Sequence, residues 1–226
     1  VATALTRGQL ALACGITCAA GFVDGIGFIH LGGYFVSFMS GNSTRAGADL
    51  AEGDLLGWGK ALGLVAAFVF GVILAALATS KTRAPGDHSR LTPQLRAVWL
   101  SVGILTLAAL CGTVEALDLA VAPLIAASMG AVNSTFTRGG EVSVGLTYMT
   151  GALVKAGQLF AARLRGVPET GWLRYAALWT AIALGSAAGA LAYLGVGLPA
   201  LWGGVILLGG CGLVVWMRRR GQPMMG

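Results

Sequence analysis

The sequence predicts an all-α membrane protein of about six transmembrane helices plus two re-entrant or broken segments, arranged as two inverted repeats. Three observations predict it: the composition, an internal echo at a spacing of about half the chain, and the side of the membrane each charge would occupy. Of 226 residues, 56% are hydrophobic and 11% are charged, with a mean hydropathy of +0.79. Soluble domains carry about 25% charged residues, so a single polytopic membrane domain spanning 1–226 is expected. The first apolar stretch runs into glycine-rich sequence rather than a small-residue cleavage site, so it reads as a membrane segment and not a leader.

Apolar segments fall at about 9–30, 34–48, 58–79, 97–114, 119–137, 142–162, 172–195 and 198–217. The polar linker "SKTRAPGDHSRLTPQLR" (80–96) separates the third from the fourth, and its Pro and Gly residues break a helix. The many glycines suit close helix contacts, which are also compatible with a homo-oligomer. Trp58, Trp99, Trp172, Trp202 and Trp216 lie near segment ends as interface anchors.

"MSGNSTRAG" (39–47) returns as "MTGALVKAG" (149–157) at an offset of 110, and "GFVD" (21–24) returns as "GAVN" (130–133) at an offset of 109. Asp24 is thereby set opposite Asn133, and Arg45 opposite Lys155. Gly32-Gly33 and Gly139-Gly140 follow in the same order, then apolar segments around Gly71 and Gly185. This defines repeats of roughly 8–116 and 117–217.

Charge decides between parallel and inverted copies. If segments two and six enter and leave on one side, six crossings remain and the 80–96 linker is cytoplasmic together with both termini. Arg7, Arg96, Arg138, Arg163, Arg165, Arg174, Arg218 to Arg220 and the linker cations are then inside, as the positive-inside rule requires. Asp49, Glu52, Asp54, Glu115 and Asp118 face out with Lys60. Eight full crossings would place the basic linker outside, although "VGLTYMTGALVKAGQLF" is apolar enough to cross.

Asp24, Arg45 and Lys155 are left at membrane depth. An intramembrane acid is a functional candidate as a proton carrier, a cation ligand or a partner of Arg45 or Lys155. In "MSGNSTRAG", Gly41 offers a helix break and Asn42, Ser43 or Thr44 an N-cap. A helix starting there would aim its dipole and Arg45 at an anion, with Thr150, Gly151 and Lys155 approaching from the other copy. Asn133 and Ser134 would line a polar path. The rival reading is a static polar cluster at the repeat interface. Two "NST" triplets match a glycosylation sequon but lie in membrane segments.

With two histidines, no metal-ligand spacing among four cysteines and no phosphate loop, an enzyme is not expected, nor a cofactor or metal. The basic excess is explained by membrane orientation, so nucleic acid is not an expected partner. "AGFVDGIGFIHLGGYFVSFMSGNSTRAG" (20–47) resembles the signature region of the YoaK family of uncharacterised bacterial inner-membrane proteins, most specifically in the pairing of "GFVD" with "FMSGN". The family more usually has Thr where Ser40 stands. The resemblance implies a multi-pass inner-membrane protein and supplies no activity to carry over. The leading expectation is a small secondary transporter or facilitator for an anionic or polar solute, proton- or cation-coupled through Asp24. The alternatives are a non-transporting scaffold or regulator and a passive channel.

Overall fold

A computed structural model describes residues 6–79, 93–138, 141–142, 149–168 and 170–220. Most of the 80–96 linker and the Gly139-Gly140 pair lie outside the described residues. The helices are α1 (Arg7–His30), α2 (Met39–Glu52), α3 (Leu55–Thr79), α4 (Pro93–Cys111), α5 (Asp118–Asn133), α6 (Met149–Leu164), α7 (Trp172–Val196) and α8 (Leu201–Arg220). Single 3-10 turns precede α5 and α8 and follow α5. Thr137–Arg138 pairs antiparallel with Glu141–Val142, two strands of two residues each in an otherwise helical chain.

Six helical stretches, α1, α3, α4, α5 with its preceding turn, α7 and α8, are long and apolar enough to cross a membrane. At a rise of about 1.5 Å per residue, a 25-residue helix such as α3 or α7 spans about 37 Å. The 14 residues of α2 reach about 21 Å and the 16 of α6 about 24 Å, both short of a hydrocarbon core of about 30 Å. The division into six long and two short helices is the one expected, and both short helices begin at the repeated methionine, Met39 and Met149.

Helix direction follows from a few contacts. The Lys60 ammonium donates to the Leu31 carbonyl at 2.6 Å, which puts the start of α3 at the end of α1. The chain therefore leaves α1 and enters α3 at the same end, and α2 does not traverse the bundle. Backbone carbonyls of Cys18 and Phe22 in α1 lie against Gly185 and Gly189 of α7, so these helices run parallel. His30 Nδ1 meets the Tyr193 hydroxyl at 3.0 Å where the two helices end. A Cβ at Gly185 or Gly189 would collide with those carbonyls, which is why small residues stand there.

The same device joins α3 to α5. Gly71 lies against the Ala127 carbonyl and Gly130 against that of Phe68. Further packing pairs are α2 on α3, α6 on α7, α4 on α5, α1 on α8 and α4 on α8. Between α4 and α5, Ser101 Oγ donates to the Ser128 carbonyl at 2.8 Å and Ser128 Oγ to that of Ser101 at 2.9 Å. The central core holds Val23, Ile26, Leu105, Ile125, Met129 and Leu208. Leucine, valine and phenylalanine side chains such as Val69, Phe70, Leu184 and Leu191 point outward, as lipid-facing surfaces require.

Charge is segregated between the ends of the bundle. The end that holds the close of α1 and the start of α3 carries Asp49, Glu52, Asp54, Glu115 and Asp118 beside Arg45 and Lys60. The opposite end, with the starts of α1, α4 and α7, carries Arg7, Arg96, Arg163, Arg165 and Arg174.

Candidate functional site

The re-entrant element is residues 31–38 and the helix α2 that follows. Gly32 and Gly33 adopt φ of +68° and +98°, a left-handed path that glycine takes without strain, and turn the chain back along α1. Val36 then packs on Gly27, where a Cβ would meet its methyl groups at 2.7 Å. Asp24 lies six residues before the end of α1, about 9 Å down the helix.

At that depth water does not satisfy irregular backbone, so the protein must. It does so with two side chains. Asp24 Oδ1 accepts from the backbone N–H of Val36 and of Ser37, both at 2.9 Å. Asn42 Oδ1 accepts from the Phe35 N–H at 2.8 Å, and its Nδ2 donates to the Phe35 carbonyl at 2.6 Å. Three successive amides, 35 to 37, are thus held by one residue of α1 and one of α2. This explains why "GFVD" and "FMSGN" occur together, since the first supplies Asp24 and the second supplies Asn42. Gly41 fits for a related reason: a Cβ there would meet the Phe35 ring at 2.8 Å, with the Phe38 ring closer still.

The helix start differs from expectation. α2 begins at Met39 with Phe38 in the cap position, so Gly41 does not break it and Asn42, Ser43 and Thr44 do not cap it. Ser43 Oγ donates back to the Met39 carbonyl at 3.0 Å and Thr44 Oγ1 to that of Ser40 at 3.1 Å. The turn that would have exposed free N–H groups beside Arg45 is already helical.

Arg45 is also differently engaged. Its Nε donates to Asp49 Oδ1 at 2.8 Å, one turn along α2, and the other carboxylate oxygen accepts from the Tyr34 hydroxyl at 2.7 Å. Tyr34 is flanked by two cations, with the Arg45 guanidinium carbon 5.1 Å and the Lys60 ammonium 4.6 Å from its ring centre. Burial first, then the bond into the Asp49 carboxylate, pushes the Tyr34 phenol above its ordinary range. Among the described residues, neither Arg45 nor Lys155 forms an ion pair with Asp24.

The second copy is elsewhere. Thr150, Gly151 and Lys155 lie on α6, which packs on α7 near Tyr175 and Leu178, with Ala13 of α1 beside them. Thr150 and Lys155 are exposed there, at the end of the bundle opposite Arg45. Asn133 Nδ2 donates to the Met129 carbonyl at 2.8 Å and Ser134 Oγ to that of Gly130 at 3.5 Å, within their own segment. The structure therefore brings Asp24, Gly41 and Asn42 together and keeps Arg45 and Lys155 apart. Among the described residues no cluster of three His, Cys, Asp or Glu side chains could hold a metal.

Beside Asp24 a cavity of about 410 Å³ is lined by Asp24, Gly25, Phe28, Phe35, Ser186 and Ala190, among others. Sequence reasoning found Asp24 but missed Phe28, Phe35, Ser186, Tyr34 and Asp49. The Arg45/Asp49 spacing of four was a readable helix-pair signal; nothing in the sequence placed Ser186 against α1.

No solved structure matches the chain. A UPF0700 transmembrane protein, RA0705 of Rhizobium meliloti (strain 1021), is 34% identical over 195 residues, which is 85% of this chain and 80% of the relative. The family model described as "Protein of unknown function (DUF1275)" matches residues 12–214, nearly the whole membrane bundle, in agreement with the YoaK resemblance. The chain is a multi-pass transmembrane protein and belongs to the DUF1275 family.

Proposed function

We propose that this protein is a small secondary transporter or facilitator of the bacterial inner membrane, built from two inverted repeats with both termini cytoplasmic. The observation that carries the reading is that most of its helix packing survives exchange of the halves, the packing of α3 on α4, which α7 and α8 do not repeat, being the exception. Replacing α1, α2, α3 and α4 by α5, α6, α7 and α8, and the reverse, turns α1 on α7 into α5 on α3. It also turns α2 on α3 into α6 on α7, and α4 on α5 into α8 on α1. The correspondence reaches single residues: Gly185 against Cys18 becomes Gly71 against Ala127 at offsets of 114 and 109. Three long helices and one short helix make each half, so the second half enters the membrane from the opposite side.

Inverted halves, each with one broken segment, are the architecture in which alternating access arises by moving one half against the other. The excess of Arg at one end, set against the excess of Asp and Glu at the other, supports a cytoplasmic location for the basic end. The solute is small and polar or charged. The anion expected from Arg45 and Lys155 loses its support, because the two cations stand at opposite ends.

The test is flux into proteoliposomes, followed by solid-supported-membrane currents over panels of small cations, anions and neutral solutes. Saturable, protein-dependent flux is expected. Protein-free and protein-loaded vesicles behaving alike across all panels would refute transport and favour a scaffold, a reading to which the closed Arg45–Asp49–Tyr34 network also lends itself. Non-saturating conductance would mark a channel.

A further inference from the structure

We infer that the cavity beside Asp24 binds a small organic cation, an ammonium group carrying an apolar substituent. The inference rests on the transport reading for its purpose but on the cavity for its chemistry. Both loop amides bond to Asp24 Oδ1, which leaves Oδ2 without a backbone donor. A carboxylate that stays ionised in a membrane helix needs a counter-charge, without which it takes up a proton. Among the described residues none supplies it: Arg45 is paired with Asp49, Lys60 is bonded to the Leu31 carbonyl, and no basic residue lines the cavity.

The rest of the wall fits an ammonium ion with an apolar body. Phe28 and Phe35 form a tilted pair with ring centres 4.9 Å apart, and aromatic faces attract cations, most strongly where water is excluded. Ser186 of α7 is a further lining residue, while Gly25 and Ala190 leave room for hydrocarbon. A volume of about 410 Å³ is in the range of small-molecule sites. It is too large, and has too few oxygen ligands, for a bare metal ion. An anion would face a carboxylate with no basic partner. Because Phe35 belongs to the loop held by Asp24 and Asn42, the occupant would touch both the fixed helix and the re-entrant element, as a transported solute must.

The experiment is calorimetric titration of benzyltrimethylammonium into the full chain in phosphatidylglycerol nanodiscs. The wild type is compared with Asp24→Asn, which keeps an oxygen for the loop amides, and with Ala190→Leu, which fills the cavity and leaves the carboxylate intact. Saturable binding is expected, weakened at least about tenfold by either substitution, with no binding of benzenesulfonate. Binding within about twofold of wild type in both variants, or equal binding of benzenesulfonate, would overturn the inference. Repeating the titration in phosphatidylethanolamine separates two sources of ammonium. Unchanged affinity indicates a free cation, whereas competition by the lipid assigns the same site to a headgroup. Flux measured in parallel keeps the two readings distinct. Binding without flux sustains the site and refutes transport. Flux of any solute with no cation binding refutes the site and sustains transport.

Discussion

Asn42→Ala is expected to release the re-entrant loop, and the size of the effect can be worked from the structure. The side chain is fully buried and makes two bonds to one residue, at 2.8 Å from the Phe35 N–H and 2.6 Å to its carbonyl. Alanine removes both bonds and leaves two backbone groups without partners in a region that water does not freely enter. Each stranded group costs about 1–3 kcal/mol, so the pair should cost about 2–4 kcal/mol after partial relaxation. For a chain of this length that is a fall in melting temperature on the order of 10 °C. The assay is a melting curve in nanodiscs, with thiol labelling of Ser37→Cys in a background free of native cysteines. Asn42→Ala should melt earlier and label faster at position 37. Asn42→Asp should also destabilise, because it keeps the acceptor for the amide but sets one carboxylate oxygen against the Phe35 carbonyl. If Asn42→Ala melts within about 1 °C of wild type and position 37 stays protected, Asn42 does not hold the loop and the account of this signature is wrong.

Other consequences follow from the same geometry. Gly71→Val and Gly185→Val should each destabilise the protein strongly and to a similar extent, since each drives a side chain into a carbonyl of the parallel neighbour. Gly63→Ala, with open space around its Cβ position, should be neutral or stabilising by up to about 1 kcal/mol, and thermal melts distinguish the two classes. Tyr34→Phe should cost about 1–3 kcal/mol by removing a bond to a charged acceptor. The Tyr34 phenol titrates higher in the folded protein than in the unfolded chain, so its contribution is full below the ordinary phenol range and is lost as pH rises through the raised folded value. Alkaline melts of Tyr34→Phe should therefore show a shallower decline than wild type. Single cysteines at Thr6 and His88 should label from the same side of the membrane; labelling from opposite sides would refute six crossings.

Much of the architecture was readable before any coordinates. Hydropathy locates long apolar helices because the bilayer imposes a minimum length on them, and that length is written in consecutive residues. The echo of "MSGNSTRAG" in "MTGALVKAG" marks the two short helices, although α2 begins at Met39 and not after a break at Gly41. Asp24 stood out because a carboxylate inside an apolar run is costly wherever the chain folds.

Partnership was a matter for the tertiary structure. One reading of Asp24 sets it against Arg45 or Lys155, charge seeking charge, yet it bonds to the amides of Val36 and Ser37, which every residue except proline carries and no sequence motif reveals. Arg45 chose Asp49 because α2 begins at Met39 and continues past it, putting the two one turn apart on the same helix. Lys155 went to the opposite end because α6 packs on α7 beside Ala13, near the start of α1. Ser186 reaches Asp24 because glycine lets α1 and α7 approach to backbone contact, and Phe35 because the turn at Gly32 and Gly33 sends the chain back along α1. Sequence sets what each segment can span and which groups need a partner; packing decides which partner is within 3 Å, since hydrogen bonds and ion pairs fall off over distances that only the folded chain defines.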